Sequence, residues 1–396
     1  MHMPNGYQIS MLFQNYIRTN HSIIQANESD FDFLDRCAWP KAQQIRSLLE
    51  QCLNNYPVIE QPEIIARLKS GNQRQFTSTT FELLLHQYLI NQNFILSPHP
   101  ELANGSAKRP DFLVTCPDGN QFYLEAICTS ENDGKNDSTE ALKESTLNYI
   151  NSRPHPNFFL SISCSGEPLT QPSGKKLYSK IKPWLDSLDP DIVLAESEKN
   201  GYSAFPQITW VHEEWEVTID AIPLKSEYRG THEQLIGIRS YGASWINGWI
   251  PIRDAIQKKT NRYGQLDLPL IVAVNVNSFR LNQIDELQAL FGEERISFNF
   301  RNLDNYHYSR VPNGAWIGPS GPKGRRCSGA WLFGNLSIYS LANVGHTLYI
   351  NPWSDLPLPS SALIMPNAKK DGDQIKLIEG KSFRDIFNLS KNWPNE

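Results

Sequence analysis

Three acidic residues stand inside segments that are otherwise apolar. Glu82 sits near the start of Phe81-Glu82-Leu83-Leu84-Leu85-His86-Gln87-Tyr88-Leu89-Ile90. Asp111 follows Arg109-Pro110 and leads into Phe112-Leu113-Val114. Glu125 follows Gln121-Phe122-Tyr123-Leu124. A carboxylate in such a setting is costly unless it is paired, hydrogen-bonded or bound to a cation. Three hard oxygen donors suit Mg²⁺, which takes one or two carboxylates together with waters and substrate phosphates. An ion of that kind activates water and stabilises charge on a phosphodiester. The chemistry these residue types point to is therefore metal-dependent phosphodiester hydrolysis. Each residue also has a plainer reading: Asp111 as a turn residue after Pro110, Glu82 paired with Arg109, Glu125 capping a neighbouring amide.

The surrounding pattern says which elements carry the three. Thr77-Ser78-Thr79-Thr80 offers an N-cap for a helix bearing Glu82 that ends near Asn91–Asn93. Phe94-Ile95-Leu96 reads as a short strand. Phe112–Thr115 and Phe122–Ile127 read as two strands joined by Pro117-Asp118-Gly119-Asn120, an Asp-Gly hairpin turn. A helix over 138–150 follows, then a buried strand at Phe158–Ser163. A strand reached through a helix usually joins its sheet in parallel. The order is helix, three strands, helix, strand. His86, one turn beyond Glu82, faces the same side, as a core histidine or as a partner of the carboxylate.

This combination of Glu82, Pro110-Asp111 and Glu125 resembles the PD-(D/E)xK nuclease superfamily, the restriction-endonuclease-like fold with its αβββαβ core. The resemblance covers residues 76–165. It implies that Glu82, Asp111 and Glu125 bind Mg²⁺ or Mn²⁺ and that the substrate is DNA. In that superfamily a lysine two residues after the strand glutamate orients the attacking water. Here that position is Ile127. The superfamily lets this lysine migrate, and Lys143 on the 138–150 helix is the expected replacement, with Lys135 and Lys108 behind it. The chain also resembles uncharacterised bacterial proteins of this kind. That resemblance fits phage or foreign-DNA defence, with a second copy of the chain or a partner defence protein as companion. Two rivals remain: the same fold with a degenerate site, binding nucleic acid or protein, and a metal-independent hydrolase using paired carboxylates, for example a glycosidase.

The remainder of the chain supplies support and cations. Residues 1–75 read as a helical N-terminal segment. Ile45, Leu48, Leu49, Cys52 and Leu53 recur at helical spacing, and Pro62 opens a second helix. A helix carries Leu177, Ile181, Trp184, Leu185 and Leu188, and Trp215–Ala221 alternates as a half-buried strand. Glu227–Gly242 reads as a surface insertion. A helix over Ile252–Tyr263, capped by Gly264, precedes the buried strand Leu268–Val274, so the nuclease-like α/β core extends over 76–285. Residues 286–396 read as a smaller strand- and loop-rich C-terminal portion. Lys258, Lys259, Arg262 and Tyr263 form a basic helix end suited to phosphate contact or to the helix dipole. Lys323, Arg325 and Arg326 lie in a glycine-rich loop, Gly318–Arg326, that suits a phosphate backbone or a plain surface loop. It is not a nucleotide P-loop, since Gly-Lys-Ser/Thr is missing.

Composition narrows the class. The chain has 396 residues, 40% hydrophobic and 20% charged, with a formal net charge of −5. Any nucleic-acid site must then be a local basic patch. Six cysteines without CxxC pairing argue against a zinc ribbon or a disulfide framework and fit a reducing cytoplasm. No apolar run approaches the roughly 20 residues of a bilayer span, and the opening residues lack a secretory pattern. The reading is a cytoplasmic α/β protein with no membrane partner.

Overall fold

The computed structural model describes residues 11–24, 28–130, 137–201, 204–230, 234–241, 248–277, 282–299, 302–372 and 374–394. The chain divides into two compact units, Met1–Asp133 with Asn247–Glu396, and Gly134–Ile246.

The first unit begins with helices α1 (Asp30–Arg36), α2 (Pro40–Asn54), α3 (Gln61–Leu68) and α4 (Gln73–Ile90). Strands β1 (Ile95–Pro98), β2 (Phe112–Thr115) and β3 (Gln121–Ser130) follow. Asn72 rather than the 77–80 threonines caps α4, its side chain accepting from Gln75 N–H. The capping site moves upstream because Thr79 and Thr80 are themselves buried within the helix. Residues 81–89 of α4 are buried all round, as expected of a helix covered on every side. Gly119 takes φ 86° in the β2–β3 turn, a conformation that glycine adopts without a Cβ penalty.

The second unit holds α5 (Asp137–Asn151), β4 (Phe158–Ser165), α6 (Gly174–Asp186), α7 (Pro190–Asn200), β5 (Gln207–His212), β6 (Trp215–Pro223) and β7 (Ile236–Tyr241). Its four strands are ordered β5-β6-β4-β7. Its own core gathers Leu147, Ile150, Leu160, Ile162, Leu177, Ile181, Leu185, Val217 and Ile219.

The chain then returns to the first unit with α8 (Trp249–Thr260), β8 (Leu270–Asn277) and α9 (Gln283–Phe291). After these come β9 (Glu294–Asn299), β10 (Asn302–Arg310), β11 (Ile317–Gly318), β12 (Gly321–Pro322), β13 (Gly329–Gly334), β14 (His346–Ile350), β15 (Asn367–Asp371), β16 (Gln374–Ile378) and α10 (Phe383–Ile386). Eight strands form one mixed sheet in the order β1-β2-β3-β8-β13-β14-β15-β16. β1, β2 and β3 are antiparallel to one another, and β3, β8 and β13 run in parallel.

Three expectations change here. The strand at Phe158–Ser165 does not join the main sheet; β8 lies parallel to β3 instead. Both candidates are apolar strands preceded by a helix, and local pattern cannot choose between them. Glu227–Gly242 is not an isolated insertion either: β7 pairs with β4 inside the second unit. Residues 286–396, expected as a portion packed on the core, form part of it, because β13–β16 complete the main sheet. The divisions 1–75, 76–285 and 286–396 therefore do not follow the compact units.

The central strands β8 and β13 of the main sheet are buried on both faces, which explains continuous apolar runs such as Leu270–Val274. Phe122, Leu124, Ile271, Ala273, Trp331 and Phe333 point into the core shared with α1–α4. Tyr123, Leu270, Val272, Val274, Ala330 and Leu332 point into the core shared with α8 and α9. The period-2 alternation of a strand thus assigns Glu125 to the α8 side. Among the described residues no helix is long and apolar enough to cross a membrane.

Candidate active site

Glu125 lies in the middle of β3 with its side chain 1% exposed. Isolated, that charge would be prohibitive to bury. Its neighbours remove the difficulty. Lys259, in the last turn of α8, pairs with Oε1, and Tyr263 donates its hydroxyl to Oε2. Arg262 Nη1 is 3.8 Å from Oε1. The backbone N–H of Asp111 donates to Oε2 at 3.2 Å.

Asp111 stands at the entry to β2, one residue before the Phe112–Leu124 pair. Its Oδ2 accepts from the backbone N–H of Ala126 at 2.6 Å. The two acids are therefore cross-linked through each other's backbone: Asp111 N–H to Glu125, and Ala126 N–H to Asp111. Burial first, then the charges of Glu125 and Glu82, push the Asp111 carboxyl up to about 7. The Ala126 N–H and Lys259 oppose that shift. Among the described residues no cation pairs directly with Asp111.

Glu82 reaches the site from α4. Tyr56 donates to its Oε1 at 2.7 Å, and Arg67 Nη1 pairs with Oε2 at 2.9 Å. Glu82 thus pairs with a cation from the N-terminal helices. Arg109 instead pairs with Glu101 at 2.7 Å. His86 packs between Tyr56 and Phe112, with ring centroids 4.7 and 5.9 Å away. Burial lowers its pKa to about 4, so the ring is neutral at physiological pH and serves as core.

The other sequence candidates divide. Lys143 lies on α5 in the second unit, whereas Glu82, Asp111, Glu125 and Lys259 all belong to the first. Lys135 lies outside the described residues. Lys108 is exposed. Lys258 is exposed on α8, one residue from the Lys259 that turns inward to Glu125. In the glycine-rich loop, Lys323 donates its backbone N–H to Trp316 O at 2.8 Å, and Arg325 pairs with Asp355 at 2.6 Å. Arg326 Nη2 donates to Asn261 Oδ1 at 2.7 Å. That bond brings the loop beside the end of α8, so Arg262 and Arg326 flank the same helix terminus.

Tyr56 and Arg67 were not singled out by the sequence, and Tyr263 was marked only as part of the basic helix end, for phosphate contact and not as the partner of Glu125. Tyr56 and Arg67 follow and belong to ordinary amphipathic helices, and nothing local marks them as neighbours of Glu82. Lys259 carried a signal, as part of a basic helix end ahead of a buried strand, but that signal did not name its partner.

Among the described residues no group of three or more His, Cys, Asp or Glu side chains is arranged to hold a metal ion. The donor chemistry that fits a hard divalent cation is the cross-linked Asp111–Glu125 pair. Two carboxylates are within the number that Mg²⁺ takes before waters and substrate oxygens complete its shell. Glu82 adds negative charge close enough to raise the Asp111 pKa. Comparison with protein-family models, with curated proteins and with solved structures gave no match.

Proposed function

We propose that the first unit is a divalent-metal-dependent nuclease of the restriction-endonuclease-like type, hydrolysing DNA phosphodiester bonds. The observation that carries the reading is the cation on Glu125. The resemblance to the PD-(D/E)xK superfamily lacked a lysine at Ile127, and Lys259 supplies an ammonium at the same carboxylate. The order of elements supports it too. α4, β1, β2 and β3 followed by α8 and the parallel strand β8 give helix, three strands, helix, strand, with the second unit inserted after β3.

Asp111 and Glu125 would hold Mg²⁺ or Mn²⁺, with Glu82 adding to the negative field. When bound, such an ion activates water and neutralises charge on a phosphodiester. Lys259 holds a proton donor beside Glu125, where it can orient a water or a phosphate oxygen. Arg262, Arg326, Lys258 and Lys323 supply positive charge for a phosphate backbone. A role in phage or foreign-DNA defence, alone, as a homodimer or with a partner protein, remains an analogy to similar bacterial proteins.

The test is DNA cleavage with Mg²⁺ or Mn²⁺ by the intact chain and by Asp111→Ala. Cleavage that is abolished in the variant and by EDTA, with the fold intact, is the expected result. Cleavage equal to wild type in the variant would sink the assignment. A second reading, an inert nucleic-acid- or protein-binding module of the same layout, is favoured by one observation: Glu82 and Glu125 are already neutralised by Arg67 and Lys259. Calorimetric titration separates the two, since an inert module shows no Mn²⁺ binding that depends on Asp111.

A further inference from the structure

The two glutamates are held in the same manner although they approach from opposite faces of the main sheet. Glu82 has one oxygen on the Tyr56 hydroxyl and the other on Arg67; Glu125 has one on the Tyr263 hydroxyl and the other on Lys259. Each cation cancels part of the charge that a metal would use, and the Lys259 ammonium attracts its carboxylate with little directionality. A phenol does the reverse. It fixes one oxygen along a directional hydrogen bond and leaves the negative charge in place.

Both phenols are themselves immobilised. Tyr56 is 2% exposed; its carbonyl accepts from Gln61 Nε2 at 2.9 Å, and its ring lies against His86 and Phe112. Tyr263 is 1% exposed, and its carbonyl accepts from Asn104 Nδ2 at 2.8 Å. Each phenol is the donor in its bond, since an ionised carboxylate only accepts.

We propose that Tyr56 and Tyr263 are positioning residues: Tyr263 holds the Glu125 carboxylate beside Asp111 for a divalent cation, and Tyr56 holds the Glu82 carboxylate whose charge adds to the field at Asp111. The inference rests on the metal-site reading above. Partners that orient metal-binding side chains typically contribute about 10- to 100-fold to metal affinity. Removing a hydroxyl while keeping the ring should reveal that contribution, since packing against His86 and Phe112 survives Tyr56→Phe.

The experiment is Mn²⁺ titration of the intact chain, read as free Mn²⁺ by electron paramagnetic resonance, for wild type, Asp111→Asn, Tyr56→Phe and Tyr263→Phe. Melting of each metal-free protein is recorded alongside. The expected result is loss of binding in Asp111→Asn, a Kd raised about 10- to 100-fold in Tyr263→Phe, and a smaller rise, of more than about twofold, in Tyr56→Phe, each melting as a folded protein. A merely structural tyrosine would lower the melting temperature and leave Kd alone. A folded Phe variant whose Kd stays within twofold of wild type, with Asp111→Asn still abolishing binding, overturns the positioning role of that tyrosine and spares the metal site. No Mn²⁺ binding by wild type, or binding unchanged in Asp111→Asn, overturns both.

Discussion

Lys259 either balances the Glu125 charge, or does so and also takes part in catalysis; a three-variant cycle separates these roles. Lys259→Met leaves Glu125 buried, with a side chain 1% exposed, and without its direct counter-ion. Breaking one side of a buried pair costs about 3–5 kcal/mol. Glu125 keeps the Tyr263 hydroxyl, the Asp111 N–H and the Arg262 guanidinium at 3.8 Å, and the Lys259 side chain is itself 13% exposed, so the lower end, about 3 kcal/mol, is expected. Glu125→Gln in the same background removes the orphaned charge. The double variant should regain most of the loss, giving a coupling of about 2 kcal/mol, within the range for residues in contact. Amide hydrogen exchange in β3 and β8 reads the stability of the first unit separately from the second. Cleavage is then compared at equal folded fraction. A lysine that assists proton transfer contributes about 10²- to 10⁴-fold, so Lys259→Met should stay inactive; the double variant, which also lacks a metal-site carboxylate, reads stability alone. A cost below about 1 kcal/mol for Lys259→Met, or additivity in the double variant, would refute the buried-pair reasoning. Wild-type cleavage by a folded Lys259→Met would refute the catalytic assignment.

Other consequences lie away from the site. Tyr349 donates to Glu286 Oε2 at 2.6 Å, and burial raises the Glu286 carboxyl from 4.5 to about 7 despite that bond. A folded-state pKa above the unfolded one means stability is full below about 4.5, falls as pH rises to about 7, and is flat beyond. The total loss is at most about 3 kcal/mol, and Glu286→Gln should flatten it in urea melts taken from pH 4 to 8. Gly166 adopts φ +72°, and a Cβ there would meet Glu214 O at 1.8 Å. Gly166→Ala should therefore cost more than the roughly 1–2 kcal/mol of a left-handed L-residue. Exchange should speed up in β4 and β6 and stay unchanged in β3 and β8; a uniform change across both units would contradict two separate cores. Arg326→Ala, which removes the bond to Asn261, should weaken binding to DNA of any sequence and shallow its salt dependence by about one charge. Unchanged salt slope would place the loop outside the interface.

The sequence by itself determined most of the local structure. Apolar spacing marked α2, α4, α6 and β8, the Asp-Gly turn marked the β2–β3 hairpin, and buried-looking carboxylates singled out Glu82, Asp111 and Glu125. These are short-range properties: periodicity, turn chemistry and the cost of desolvating a charge can all be read within a few residues. What only the tertiary structure decided is which elements meet. Two helix–strand pairs, α5–β4 and α8–β8, carry equivalent signals, and β3 pairs with β8, more than 100 residues further on, because β4 is buried in a sheet of its own. That one pairing carries Lys259 and Tyr263 to Glu125, while Lys143 stays with the second unit. Tyr56 and Arg67 reach Glu82 in the same way, through packing of α2 and α3 on α4. A hydrogen-bond partner chosen by packing across such separations leaves no periodic trace in the chain, so the carboxylates were legible and the groups that hold them were not.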